Sequence, residues 1–187
     1  MYIDNQTFSK VDYRTHLLEK GEYEGGTFFQ CNFLKSDISH IRFSDCEFIG
    51  CDLSMVKMIE TSLQNVRFTE CKLLGTEWKN CNAFLFEVSF EDCNLELSMF
   101  GGMKLKNTHF RNSDLREANF AQSDLTSSLF ENCNLEKVLF QKTNLEKANL
   151  LTSYGYTLDP EDNKIQGAKF GLEGLPGLLV KYNIHIQ

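Results

Sequence analysis

Seven cysteines and four histidines are the residues of this 187-residue chain best suited to hold a metal or act as nucleophile and base. Cys31, Cys46, Cys51, Cys71, Cys81, Cys93 and Cys133 never fall as Cys-x-x-Cys, so zinc-knuckle spacing is absent. His16, His40, His109 and His185 stand apart from any Cys–Asp or Ser–Asp constellation that could converge into a triad. Gly25-Gly26 and Gly101-Gly102 lack the glycine density and the flanking Lys-Ser/Thr of a phosphate loop. These residue types predict no catalytic residue, no cofactor and no metal site.

All seven cysteines instead share one place in a five-residue beat. Large apolar residues fall at Phe28, Phe33, Ile38, Phe43, Phe48, Leu53, Met58, Leu63, Phe68, Leu73 and Trp78. The beat resumes two residues out of step at Phe90 and runs through Leu95, Phe100, Leu105, Phe110, Leu115, Phe120, Leu125, Phe130, Leu135, Phe140 and Leu145 to Leu150. Two residues before each central position sits a small or β-branched residue such as Cys51, Val56, Ser113 or Ala148; Met103 is the large exception. An interval of five fits neither a helix nor an alternating strand. It fits a very short strand with two inward residues, followed by a corner; four corners close a square, and stacked squares make a parallel solenoid.

Residues twenty apart must then stack. Phe8, Phe28, Phe48 and Phe68 do, and a two-residue bulge near 82–87 carries the column on through Phe90, Phe110 and Phe130. Counted from Gln6, seven coils follow: 6–25, 26–45, 46–65, 66–87, 88–107, 108–127 and 128–147. At about 4.8 Å per coil they make a rod on the order of 34 Å long. The spacing also turns His16 inward in the first coil. Stacked cysteines have parallel Cβ vectors at about the strand spacing, beyond the usual disulfide separation of about 3.5–4.5 Å, so the thiols are expected to fill the core.

The units SDLRE, ANFAQ, SDLTS, CNLEK, TNLEK and ANLLT, with a small residue, Asp or Asn, then Leu or Phe, resemble the pentapeptide repeat family over about residues 6–150. The resemblance implies an all-β fold, the right-handed quadrilateral parallel β-helix. Residues 1–150 form the repeat domain by this reading and 151–187 a C-terminal segment. There Asp159-Pro160-Glu161-Asp162-Asn163 predicts a turn and Ala168 and Phe170 one more inward strand. Leu172, Leu175, Leu178, Leu179 and Tyr182 follow at α-helical spacing, and Asn183–Ile186 predicts an edge strand. Such a tail caps the last coil, and Leu175, Leu178, Leu179, Tyr182, Ile184 and Ile186 are candidates for pairing two chains as a homodimer. A tail of this kind resembles the dimer module of the gyrase-binding members, the Qnr and mycobacterial MfpA types. That likeness implies a DNA mimic whose partner is DNA gyrase or topoisomerase IV. Loops projecting from the coils contribute to protection in the Qnr type, whereas the interruption here inserts two residues.

Hydrophobic content of 42%, charge content of 24% and a net charge of −7 suit a folded chain with no direct nucleic-acid binding. The opening MYIDNQTFSK has no signal-peptide pattern and no apolar run spans a bilayer, so a cytoplasmic, non-membrane protein is expected. Two faces are candidates for contact with a partner. Glu47, Glu70, Glu91, Asp92 and Glu131 form an acidic strip on the Phe-column side, interrupted by Arg67 and Arg111. Leu34, Met55, Leu74 and Leu97, with Phe84 in the bulge, point outward on the Leu-column side as an apolar face for an unknown protein.

Overall fold

The computed structural model describes residues 1–185. Two local devices close the five-residue units, the first in those that carry Asp or Asn ahead of the central residue. The Asp or Asn ahead of the central residue accepts, through Oδ1, the N–H two residues on: Leu34 donates to Asn32 at 3.1 Å, Glu96 to Asn94 at 3.0 Å and Ala121 to Asn119 at 2.8 Å. These Asx turns bend the chain away from the strand. The fifth residue then adopts a left-handed conformation, as at Lys35 (φ 57°), Met55 (φ 52°) and Lys147 (φ 58°), and completes the corner. A left-handed non-glycine residue costs about 1–2 kcal/mol. It persists here because the ladders on both sides of the corner hold it.

The small inward residue stitches coils together. Cys51 Sγ donates to the Phe28 carbonyl at 3.1 Å, Ser128 Oγ to Leu105 at 2.7 Å and Thr143 Oγ1 to Phe120 at 2.9 Å. A short donor in this buried place reaches the coil before it, which is why Ser, Thr and Cys recur there beside residues such as Val56 and Ala118 that only pack.

Two parallel sheets result. One contains β1 (Tyr2–Asp4), β3 (Glu22–Glu24), β5 (Arg42–Ser44) and β7 (Ser62–Gln64). The other contains β2 (Thr7–Ser9), β4 (Thr27–Phe29), β6 (Glu47–Ile49), β8 (Val66–Thr69), β9 (Val88–Glu91), β10 (His109–Arg111), β11 (Leu129–Glu131), β12 (Asn149–Leu150) and β13 (Lys169–Phe170). Single parallel bridges such as Asp114↔Asn134 and Asn119↔Leu139 join the remaining sides. The architecture is the expected four-sided parallel β-helix, a solenoid of about eight turns. The register is twenty throughout most of its length, Phe8↔Phe28↔Phe48↔Phe68, and Phe68↔Phe90 crosses the bulge.

The central residues fill the rod. Phe28, Phe48, Phe68, Phe90, Phe110 and Phe130 stack with ring centroids 4.6–5.5 Å apart, and Trp78, Phe100, Phe120 and Phe140 form a second stack beside them. Rings of the two stacks meet edge to face, as Phe110 meets Phe120 at 5.8 Å and 84°.

The repeat pattern stops at Leu150, and the further strand expected after it is present, with Asn149–Leu150 pairing in parallel with Lys169–Phe170. Three expectations are corrected. His16 is exposed, its ring nitrogen 2.9 Å from Thr15 Oγ1, while Leu18, the central residue of the same unit, is buried as the beat requires. The terminal helix is 3₁₀, over Leu172–Leu178 and Val180–Tyr182, not α. No strand follows Phe170 among the described residues: Asn183 is left-handed (φ 49°) and Ile184 and His185 are irregular, while Ile186 lies outside the described residues.

The 3₁₀ geometry has a steric cause. Three residues per turn align Gly171, Gly174 and Gly177 on one edge. A Cβ on Gly174 would lie 1.8 Å from Tyr156 Oη, and one on Gly177 2.0 Å from the Tyr156 carbonyl. The glycines let the helix lie directly on the last coil.

Candidate interaction surfaces

The cysteine side chains are buried and carry no accessible nucleophile. Burial pushes the Cys46 and Cys133 thiols up to about 11 and Cys81 to about 12. Among the described residues no group of three or more His, Cys, Asp or Glu is placed to hold a metal ion. None of the described helices is long and apolar enough to cross a membrane. What the molecule presents is surface.

The acidic strip is assembled on one side and its adjoining corner. Glu47 leads β6, Glu91 ends β9 and Glu131 ends β11, all in one sheet. Glu70 and Asp92 occupy successive left-handed corners, at φ 55° and 54°. The sheet register also builds counter-charges into the strip. Arg67 Nε lies 3.3 Å from Glu47, and Arg111 reaches both Glu91 at 3.5 Å and Glu131 at 2.9 Å across its two neighbouring strands. The Glu131 carboxylate, ahead of Glu91, raises the Arg111 guanidinium above its ordinary range. These pairs are exposed, and solvent screening leaves them little weight in stability. Glu70 and Asp92 enter no ion pair among the described residues, so no counter-charge is built in beside them at the corner.

The apolar candidates do converge. Leu34, Met55, Leu74 and Leu97 lie on four successive coils, alternating between the two residues that follow the central position. They form a zigzag ridge along one corner, with Met55 and Leu97 each 46% exposed and Leu34 and Leu74 half-buried. Phe84 does not join this ridge. It belongs to the bulge on the following sides of the coil, where it is 70% exposed beside Leu85 at 62%.

At the C-terminal end Leu178 packs against the core and Leu179 is half-buried, while Leu175, Tyr182 and Ile184 are exposed. Leu172 and Val180, absent from the sequence-based set, are exposed beside them at 85% and 61%. Lys181 holds the cap to the preceding turn through Asp159 and Glu161, each at 2.7 Å. That clamp was not legible in the sequence, because its register depends on where the 3₁₀ helix docks.

A filled solenoid that meets its surroundings through flat sides, one corner ridge and an apolar end defines the class. The chain belongs to the pentapeptide repeat family: the family model described as Pentapeptide repeat region matches residues 22–96 and 80–150. Among solved structures it is similar to a trypsin-treated variant of QnrB1, a plasmid-mediated fluoroquinolone resistance protein. Identity is 17%, the alignment covers 100% of this chain and 99% of that one, and the TM-score is 0.62. It is also similar to HetL, a pentapeptide repeat protein involved in heterocyst differentiation regulation from the cyanobacterium Nostoc. There identity is 18%, coverage 91% and 87%, and the TM-score 0.46. At such identities the likeness is one of fold. No curated protein matches the chain.

Proposed function

We propose that this protein is a non-enzymatic interaction module that docks its acidic side into a basic, DNA-binding groove of another protein, with DNA gyrase or topoisomerase IV as the partner. The observation that carries this reading is the alignment of Glu47, Glu70, Glu91, Asp92 and Glu131 along one side of a rigid rod, with Glu70 and Asp92 unpaired among the described residues. The full-length fold likeness to a fluoroquinolone resistance protein supports the choice of partner. Association of this kind is steered by charge and weakened by salt. Two chains pair through Leu172, Leu175, Val180, Tyr182 and Ile184, which lengthens the acidic rod. A gyrase supercoiling assay, with and without a quinolone at two salt concentrations, tests the reading. Inhibition or quinolone protection that fades with salt is expected, and Glu70→Lys with Asp92→Lys should remove it. No effect at high micromolar protein overturns it.

The corner ridge favours a second reading, a scaffold that binds a protein through apolar contact. Replacing Leu34, Leu74 and Leu97 by Ser should then abolish partner capture at unchanged thermal stability. A loss of stability would assign the three leucines to the core.

A further inference from the structure

Coil 66–87 is stitched to its neighbours on two adjoining sides and loosened on the other two. On an intact side three backbone bonds join successive coils: Asn119 donates to Ser98 at 2.9 Å, and Phe100 and Gly102 donate to Asn119 and Ala121 at 2.8 and 2.9 Å. That pattern passes unbroken through two sides of the coil. On one, β8 pairs with β9 from Val66↔Val88 to Thr69↔Glu91. On the next, Lys72 donates to Cys51 at 2.9 Å and accepts from Leu53 at 2.7 Å, and Asn94 repeats both bonds with Cys71 and Leu73 at the same distances.

The other two sides part at different levels. On the side of Glu77 the gap lies above: the Glu77 and Met58 N–H groups, which the pattern directs to Val56 and Glu77, have no hydrogen-bond partner among the described residues. The unit there carries Trp78, the largest of the central residues, and closes as a turn of 3₁₀ helix over Trp78–Asn80. On the side of Ala83 the gap lies below. Ala83 holds the central position of its unit yet is exposed. Among the described residues the Lys104 N–H and the Lys104 and Lys106 carbonyls make no backbone bond to it or its neighbours. Residues 76–87 therefore cross the wall as a slanted strut. It is held below where Met99 donates to Thr76, and above where Asn82 and Glu87 donate to Thr61 and Leu63, each at 2.9 Å. Crevices of about 400 Å³, beside Met55 and Ile59, and about 580 Å³, beneath Leu85 and Phe86, open at the two gaps. The longer phenyl stack is also widest at this level, with Phe68 and Phe90 5.5 Å apart against 4.6 Å for Phe28 and Phe48.

We infer that this coil is a hinge: residues 1–74 and 88–170 move as two rigid halves about the corner of Glu70 and Asp92, while the diagonally opposite corner, between Asn80 and Gly102, opens. Backbone bonds that run on through two adjoining sides resist separation there, and a wall with few such bonds opens at the least cost. Hinges concentrate the change in a few residues at the ends of elements, here the turn at Glu77 and the loop at Ala83–Glu87. Phe86, packed against the core, limits the travel. Bending in this sense makes the Glu70–Asp92 corner concave. The acidic strip crosses the hinge on an unbroken sheet, with Glu47 in one half and Glu131 in the other, so its curvature changes while its ladder stays whole. The hinge follows from the backbone bonding and is independent of the partner that the acidic side meets.

Pulsed dipolar spectroscopy of nitroxide pairs in the whole chain tests the motion. His40→Cys with Lys142→Cys spans the opening corner, and Gln30→Cys with Asn132→Cys spans the hinge corner, all at exposed positions. Each pair lies five coils apart, about 24 Å. The native thiols are buried, and the parent chain carried through the same labelling gives the background. Dilution into unlabelled protein restricts the signal to pairs within one chain. The distance distribution across the opening corner should be at least twice as wide as that across the hinge corner, with the excess at longer distances. Deleting Phe84 and Leu85 together with Ala83→Leu turns the interrupted unit into Cys-Asn-Leu-Phe-Glu, the pattern of its neighbours, and should narrow the first distribution to the second. Hydrogen exchange on the unaltered chain gives a second reading. The Met58 and Lys104 amides should exchange at least tenfold faster than those of Ile38 and Asp124, which hold the same places in closed coils and are bonded to Lys57 and Met103. Equal widths at the two corners, a repaired chain that folds and stays as wide, or exchange at Met58 and Lys104 as slow as at their counterparts would each overturn the inference.

Discussion

The cysteines of this fold serve as short hydrogen-bond donors. Cys71 Sγ reaches the Phe48 carbonyl at 3.2 Å and Cys133 the Phe110 carbonyl at 3.3 Å, the same bonds that Ser and Thr make in other coils. Their chemistry follows from that role. Burial raises the Cys46 and Cys133 thiols from 9.0 to about 11, so the folded state holds these protons more tightly than the unfolded one. A raised folded pKa gives stability that is complete below pH 9 and lost as pH climbs through 11. Urea midpoints should therefore fall between pH 9 and 11, and a thiol reagent at pH 8 should label the cysteines only once the chain unfolds. Labelling of the native protein would show an accessible thiol. The Asx turns act at the same scale. Asn94→Ala removes the acceptor for Glu96 N–H and should cost about 1 kcal/mol, read as a lowered urea midpoint. Spacing alone revealed the inward place of the cysteines, since only small residues recur there. His16 misled because no residue lies twenty before it, so nothing above that side of the first coil enforces the small inward place, while Leu18, on the beat itself, stays buried.

At the scale of elements, the cap shows how one pattern can carry two readings. Leu172, Leu175, Leu178, Leu179 and Tyr182 suit a period of 3.6, yet Gly171, Gly174 and Gly177 recur at three, and the close approach to Tyr156 selects the tighter helix. The glycine interval was the legible signal. The contact that makes it decisive is long-range and was not. Gly174→Ala places a methyl against the Tyr156 ring and should cost about 1–3 kcal/mol as an overpacked contact. Near-ultraviolet circular dichroism of the tyrosines should weaken before the coils unfold, and Gly174→Ser should behave the same way. A variant with the native thermal midpoint would show that the helix does not press on the coil. The bulge was visible as a two-residue slip, but its consequence hung on Ala83, whose small side chain cannot hold its unit in the ladder. Nothing in the local sequence says that the Lys104 N–H and carbonyl, twenty-one residues later, make no backbone hydrogen bond to the coil before them among the described residues.

At the scale of the whole molecule, each coil touches only its neighbours, so stability sums along one dimension. The aromatic ladder makes that sum cooperative, because each phenyl ring stacks on the rings above and below. Phe110 sits mid-rod, fully buried, with Phe90 at 5.2 Å and Phe130 at 4.8 Å. Phe8 stacks on Phe28 at 4.8 Å, but on its other side lies the half-covered N-terminal end. Phe110→Ala should cost about 3–5 kcal/mol and uncouple the two halves of the rod. Phe8→Ala removes a ring at the end, so only the first coil should fray. Hydrogen exchange followed by peptide mass separates the outcomes. The mid-rod variant should show two blocks, residues 22–91 and 129–170, opening at different denaturant concentrations. The end variant should lose protection only around Thr7–Ser9 and Thr27–Phe29. If both variants open everywhere at once, the rod is a single cooperative unit, and the nearest-neighbour account of its rigidity is wrong.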